Sequence, residues 1–578
     1  MEGSPIDDLS RWWENVEGFL ELKGKPDWRP LGRDEIAELV ALGNRCESWS
    51  HLWVNETFQP KAYRNCEFLG QCYLSKSADG KIDGVRLKEV VLGEDITIQN
   101  TRELSYLIVG NGCRIIGCGS LGGGKENPWT PFLEIAMGSE MGHRSVWIQP
   151  CSSFEDVTRW VLEGKSNQES LELKQKSGLP EAISMSLMMA NCDIEGLVRG
   201  EGFCLGPSTV IRDSSFLKNV VSVSSLEEKV RLGTGVILRE CQLHDGASVL
   251  DYAHLERVVV GEQSRLEHKI SVEESYIGPD NKLGKGEIVA SLLGPMVGLH
   301  HQSLLIGSLW PEGRGNVGYG ANVGSNHTGR KPDQEFFPGE GCFLGLDTSI
   351  KFPSNFSRSP YSLIATGVKA NPQKIEFPFS LMMPGNSLRS NDLRDMNEIR
   401  PGWVYLHNPY FLHRNEMKFA RRRKAKGVKW DHRPLRPKWI PLVYNALRAL
   451  DKLGEKEFFL KADCPSLGDN VLTRSGLKEG HKAYLELLLH LMRLGVLEGH
   501  PISMKIIDFA KTNGWEEDEE ACRHGLKEDS ARILSSTKRS LGRDTLRGEQ
   551  IMPDYRNAHP DPEDDMVVLD LESRLKDL

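Results

Sequence analysis

Between about residues 85 and 370, aliphatic residues return every six positions. In VVLGEDITIQNTRELSYLIVGNGCRIIGCG the series is Leu92, Ile98 and Leu104, and further on it is Leu243, Val249 and Leu255. A period of six fits neither the 3.6 of a helix nor the 2 of an ordinary strand. It marks a triangular coil, in which each face carries an inward aliphatic residue and each corner a small or polar turn. Val260-Gly261, Ile277-Gly278 and Leu293-Gly294 recur at intervals of 17 and 16 residues, which is three hexads less one or two residues per coil. Stacked coils about 4.8 Å apart would hydrogen-bond to the coils on either side. The 57 glycines, concentrated in this stretch, suit tight corners.

The repeat breaks at about 120–190, where GSLGGGKENPW precedes two helical patterns, FEDVTRWVLEGKSNQ and EAISMSLMMAN. The reading is a helical insertion thrown out of the solenoid. Residues 1–60 form a short helical N-terminal cap, with Trp12, Trp13, Trp28 and Trp53 predicted to cover one end of the coils. The β-helix then occupies 61–371. A helical C-terminal domain follows at 372–500, with helical spacing at 412–427, 437–453 and 473–496. The charged residues 501–578 form a partly irregular C-terminal arm.

Apolar residues make up 39% of the chain and charged residues 26%, with a net charge of −9. That balance is ordinary for a globular protein and gives no global basis for binding nucleic acid. The N-terminus, MEGSPIDDLSRWWENVEG, lacks a basic start followed by an apolar core, and no apolar run of about 18 residues spans a bilayer. These features, with 12 cysteines that form no CxxC pairs, predict a cytoplasmic protein with free thiols. One strongly basic run, NEMKFARRRKAKGVKW, contains Lys418, Arg421, Arg422, Arg423, Lys424 and Lys426. It reads as a solvated helix face or an intersubunit clamp rather than a nucleic-acid contact.

The [Leu/Ile/Val]-Gly spacing and GNVGYGANVGSNHTGRKPDQEFFPGEGCFLGLDTSIKFPSNF resemble the trimeric UDP-N-acetylglucosamine acyltransferase-like superfamily. That resemblance implies a mainly β fold, a left-handed parallel β-helix, and assembly as a homotrimer. Within the superfamily, RPLGRDEIAELVALGNRCESWS, GLHHQSLLIGSLWPEGRGNVGYGANVGSNHTGRKPDQE, ATGVKANPQKIEFPFSLM and NPYFLHRNEMKF resemble a bacterial family carrying a domain of unknown function. A looser likeness reaches the acetyltransferase half of the bifunctional uridyltransferase that makes UDP-N-acetylglucosamine. There, an Asn-Tyr-Asp-Gly corner loop helps to hold the sugar, and Asn326-His327-Thr328-Gly329 stands in a similar place here. The Gly-rich pyrophosphorylase motif of that enzyme is absent.

What the resemblance implies is acyl transfer from acyl-CoA or an acyl-carrier protein, with no tightly bound cofactor, to a sugar, nucleotide-sugar or similar polar acceptor at a subunit interface. Such a reaction needs a base near neutral pH, which suits histidine. The densest polar stretch runs from His300 to Glu335. His327 is the first candidate base, and His301 the second. His327 is equally open to positioning a ligand or capping a corner. Arg314, Arg330 and Lys331 would clamp a phosphate or carboxylate, or lie solvated. Asn322 and Asn326 would meet sugar hydroxyls or ladder along the corners. His300, Asn316, Tyr319, Asp333 and Glu335 complete the substrate-binding candidates. The trimeric β-helix carbonic anhydrases use two histidines four residues apart plus a third, a spacing that His300-His301 and His327 do not reproduce, so no metal ligand is assigned. Two rival readings stay open: a non-catalytic trimeric ligand-binding or assembly module, and a metal-dependent hydrolase.

Overall fold

The computed structural model describes residues 5–577 apart from 22–27, 139–143, 151, 164–165, 214, 326–334, 386–392, 394, 517 and 560. The chain divides into two compact units, Met1–Pro311 with Lys424–Val428, and Glu312–Arg423 with Lys429–Leu578.

The first unit is a parallel β-solenoid. Val249 lies on Leu266 and Leu266 on Leu283, one coil being 17 residues, and all three side chains are fully or almost fully buried. On the other two faces, Leu238 lies on Leu255 and Leu255 on Val272, within seven-residue strands such as Ile237–Leu243 and His254–Val260. Each long strand serves two faces because it bends midway at a residue of positive φ: Glu240 (52°), Arg257 (51°) and Glu274 (45°). Left-handed backbone is costly for residues with a Cβ. Stacking compensates, since each corner is held between hydrogen-bonded neighbours above and below. Corners are also closed by side chains. Asn281 Nδ2 donates to the Gly278 and Gly294 carbonyls at 2.7 and 3.0 Å, while its Oδ1 accepts from the Val297 amide at 2.7 Å.

One outward-facing column is apolar as well. Tyr73, Val91, Ile108, Leu187, Cys204 and Val221 follow one another in register. Helix α1 (Pro5–Leu20) covers them, burying Val16 completely and packing Trp12, Trp13 and Phe19 against the column. Trp28 meets Tyr73 edge-on at 5.4 Å and Trp53 stacks on it at 6.4 Å. The four indoles therefore line this flank rather than cover an end. Helix α2 (Arg33–Ala41) leads into the first coil, where Asn44 Nδ2 donates to the Leu39 and Tyr63 carbonyls.

The insertion contains an antiparallel hairpin, Leu133–Ala136 with Ser145–Ile148, then α3 (Phe154–Leu162) and α4 (Ser166–Lys176). The first predicted helix forms as α3. The second pattern, EAISMSLMMAN, instead supplies strand Ser186–Met188, which returns the chain to the solenoid beside Leu107–Val109. Buried on every side and offered a parallel partner, this apolar run has its helical spacing overridden by the sheet.

In the second unit, coils continue through Asn316–Val317, Phe343–Leu344 and Leu363–Ile364. They end at Leu381–Pro384, which pairs antiparallel with Asn397–Arg400. The helices that follow are α5 (Trp403–His407), α6 (Pro409–Arg422), α7 (Ile440–Leu450), α8 (Arg474–Leu497), α9 (Met504–Lys511), α10 (Glu519–Ile551), α11 (Tyr555–Ala558) and α12 (Met566–Asp577). Helix α8 lies against the last coil, with Tyr484 stacked on Phe377 and donating to the Pro378 carbonyl at 2.8 Å. The charged segment 501–578 is largely helical, and buries Cys522, Leu526 and Ile533 of α10 and Val568 and Leu571 of α12. No described helix is long and apolar enough to cross a membrane.

Candidate functional site

A position in the coil that is usually glycine provides the starting point. Gly206, Gly261 and Gly278 each follow the last residue of a long strand and Gly294 follows the short strand Leu292–Leu293, and their amides donate to the next coil along the stack. In the same register stand Val223 and His244, whose amides donate to Leu243 and Val260. The residue here points outward at a corner. A Cβ on Gly261 would come within 2.8 Å of the Ile277 carbonyl oxygen, and one on Gly278 within 3.2 Å of the Phe154 ring. Close neighbours therefore keep these two positions glycine, whereas beside the His244 imidazole there is room.

That room is a cavity of about 480 Å³ within the first unit, lined by His244, Asp245, Gly261, Tyr276, Trp12 and Ser153 among others. Its walls come from three elements. Helix α1 contributes Arg11, Trp12 and Asn15, and the start of α3 contributes Ser153, Phe154 and Glu155. Residues Gly427 and Val428 close a third side. Each wall is fixed. Ser153 caps α3 by accepting from the Asp156 amide at 3.0 Å, and Phe154 packs on buried Tyr276 with ring centres 5.5 Å apart. Glu262 accepts from the amides of Lys426 and Gly427 at 2.9 Å, and Asp280 accepts from those of Lys424 and Ala425 at 2.8 and 3.1 Å. Lys426 also pairs with Glu228 at 3.0 Å. Two cations of the basic run are thereby accounted for: Lys424 and Lys426 belong to a loop docked on an acidic corner of the solenoid.

Nε2 of His244 is buried and has no hydrogen-bond partner among the described residues. Burial pushes the imidazole down to about 4, so it is neutral at physiological pH and its lone pair is unclaimed. Asp245 accepts from the Ser225 amide at 2.6 Å. Tyr276 is held protonated, its pKa raised by burial. The arrangement offers a neutral acceptor nitrogen, nearby carboxylates and aromatic walls, which suits a small ligand bearing a hydroxyl or amine.

Those of the residues predicted from sequence that the structure describes lie elsewhere. His327, Asn326, Arg330, Lys331 and Asp333 fall outside the described residues. His300 and His301 sit at a corner of the first unit, with ring centres 6.0 Å apart, His301 exposed at φ 64°. In the second unit Tyr319, in a turn, and Asn322, at the start of a strand, are exposed, and Asn316 is a half-buried strand residue whose amide donates to the Cys342 carbonyl. The Glu335 carbonyl accepts from the Ser354 amide. Arg314 is buried, 3.2 Å from Glu340 and with its guanidinium 4.9 Å from the Trp430 ring centre. Glu340 is further contacted by Arg436, by Lys438 at 2.8 Å and by the Tyr361 hydroxyl at 2.7 Å. Arg314 is therefore an internal ion-pair partner, because a buried guanidinium must be paired. Among the described residues, Asp251, Glu267 and His268 are the one histidine and carboxylate group close enough to share a metal ion. Glu267 is already paired with Arg265 and Lys282, and this group does not include the histidines singled out from sequence.

His244 was missed, although its signal is in the sequence. Leu243-His244 stands 17 residues before Val260-Gly261, so the imidazole replaces the glycine of the repeated pair.

Comparison with known proteins agrees with the repeat. A protein of Treponema pallidum (strain Nichols), named only as uncharacterized, is 26% identical over 488 residues, covering 78% of this chain and 64% of its own length. The bifunctional protein GlmU of Acidithiobacillus ferrooxidans is 25% identical over 203 residues, covering 34% of this chain and 40% of GlmU. The chain thus spans less than two thirds of the length of either relative. Residues 28–391, well over half of the chain, match the family described as a domain of unknown function (DUF4954), and the chain belongs to that family.

Proposed function

We propose that this hexapeptide-repeat protein is an acyltransferase whose reaction takes place in the His244 cavity. The observation that carries the reading is a neutral imidazole that lines a ligand-sized space and whose buried Nε2 has no partner among the described residues. The partial likeness to GlmU and the β-solenoid repeat support the acyltransferase class. The acceptor is a sugar, nucleotide-sugar or similar polar molecule, and the donor an acyl thioester of CoA or of an acyl-carrier protein. The acceptor hydroxyl or amine attacks the thioester carbonyl while Nε2 takes its proton. The C–S bond then breaks, and the imidazolium returns the proton to the departing thiolate. Asp245 and Glu155 on the cavity wall offset the positive charge the ring gains on the way. A homotrimer, expected for this class of solenoid, would place a second subunit's coils beside the reacting one.

Purified protein incubated with acyl-CoAs and nucleotide sugars, with free thiol release as the readout, tests this. His244→Ala lowers turnover by more than about a hundredfold while His301→Ala leaves it within a few-fold. His327→Ala is the deciding comparison: if it abolishes turnover and His244→Ala does not, the base is His327 and the cavity assignment is wrong. If wild-type protein binds a nucleotide sugar yet releases no thiol from any donor, the non-catalytic binding module replaces the enzyme.

A further inference from the structure

Of the remaining cations of the basic run, Arg423 lies 5.8 Å from the Trp430 ring centre, and Lys418, Arg421 and Arg422 line a different cavity, wholly within the second unit. It measures about 690 Å³ and is lined on one side by α6, through Tyr410, Arg414, Met417, Lys418, Arg421 and Arg422. The opposite side is formed by 564–574, leading into and along α12. Residues 414, 418, 421 and 422 share one face of α6, being four, seven and eight positions apart.

A solvated basic face would have its charges spread in water. Here Lys418 is half-buried, and its ammonium is pushed down to about 8 by burial and then by Arg422 and Arg414. Among the described residues none of Arg414, Lys418, Arg421 and Arg422 has a carboxylate within ion-pair distance. The acids across the cavity are engaged elsewhere. Asp565 accepts from the Tyr410 hydroxyl at 3.2 Å and from the Val567 amide at 2.8 Å, and Asp570 pairs with Arg574 at 2.7 Å. Arg574 also holds Glu416 at 2.7 Å. Asp564, exposed, stands at the rim. What remains is a group of mutually repelling cations, Lys418 half-buried and Arg414, Arg421 and Arg422 exposed, beside the apolar surface of Met417, Ala420 and Val567. Such a group costs stability in the empty protein and is compensated by an anion.

We propose that this cavity binds a phosphorylated small molecule, with the phosphate held by Arg414, Lys418 and Arg421 and the organic part resting on Met417 and Val567. Its volume falls in the range of small-molecule sites, and guanidinium and ammonium donors on adjacent helix turns match the several oxygens of a phosphate.

The test uses full-length protein, with inorganic pyrophosphate and ADP as probes in calorimetry and thermal melts. Both bind the wild type and raise its Tm, ADP more strongly because it also covers the apolar surface. Arg414→Gln and Lys418→Met each weaken binding roughly tenfold or more, as expected for loss of a charge-assisted hydrogen bond. Lys418→Arg retains binding, and Arg523→Gln, on the exposed surface of α10, leaves it unchanged. Without ligand, Lys418→Met melts no lower than the wild type, because a repelled charge has been removed. The proposal is overturned if neither probe binds at about 10 mM, or if the affinities survive in the Arg414→Gln, Lys418→Met double variant. Binding of pyrophosphate with no added affinity for ADP overturns the organic half and leaves an anion site.

Discussion

An imidazole where the coil repeat calls for glycine and a carboxylate sealed among three cations are opposite uses of a polar residue. His244, which lines a cavity, keeps a buried acceptor nitrogen without a partner among the described residues. Glu340 leaves nothing free: Arg314, Arg436, Lys438 and the Tyr361 hydroxyl all converge on it, and it is only 2% exposed. Removing one member of a buried ion pair is far more damaging than replacing the whole group, because the partners are left charged and dry. Glu340→Ala is therefore expected to destabilise the second unit by about 3–5 kcal/mol, measured by urea unfolding. Glu340→Gln keeps the shape but loses the charge and falls between the two. A Glu340→Ala protein as stable as the wild type would show that the cations find water instead. The contrast also separates two polar groups in the sequence. Arg314, singled out as a ligand clamp, is consumed by the fold, whereas His244 is not.

At the scale of elements, the solenoid flank depends on α1. The outward column of Val91, Ile108, Leu187, Cys204 and Val221 is apolar only because that helix covers it. Val16→Asp places a carboxylate where the side chain is fully buried, and the expected result is release of α1 rather than collapse of the coils. Limited trypsin digestion should then cut at Arg11 within the freed helix while the far-ultraviolet signal of the β-solenoid persists; loss of that signal would mean that the coils need the helix to fold. The period of six made the coils legible, since every inward residue of a stack obeys the same constraint. The flank was not legible in the same way. Nothing in a hexad says which outward column will be covered, so Trp12, Trp13, Trp28 and Trp53 read as an end cap. The segment 181–191 read as helix because Ile183, Leu187, Met188 and Ala190 suit a helical face as well as a buried strand. The candidate site hid for a related reason. Polar density drew attention to residues 300–335, while the informative residue was one histidine that broke the glycine rule of its column.

Across the whole molecule, acid should act through histidines that fold only when neutral. His413 of α6 is buried with both ring nitrogens unpartnered among the described residues, and burial, with Arg574 and His490 nearby, pushes it down to about 3. His244 in the first unit is pushed to about 4. An unfolded imidazole titrates near 6.5, so below that pH the unfolded chain takes up protons that the folded chain refuses. Stability is then fully present above about pH 6.5 and is lost progressively as the pH falls towards 4 and 3. For His413 alone the loss between pH 7 and pH 4 is on the order of 3 kcal/mol. Asp529 opens a second, lower window. Its carboxyl is depressed despite burial by His490, Arg493 and Arg532, so its contribution is present above the ordinary carboxylate range and disappears only below it. Urea midpoints measured from pH 8 to pH 4 should therefore decline from about pH 6.5, well before carboxylates protonate. His413→Leu should flatten that decline for the second unit, and His244→Ala should do so less strongly, because its ring lies beside a cavity that water can enter. An unchanged slope in His413→Leu would place the acid sensitivity in the carboxylates instead, and the decline would then begin nearer pH 4.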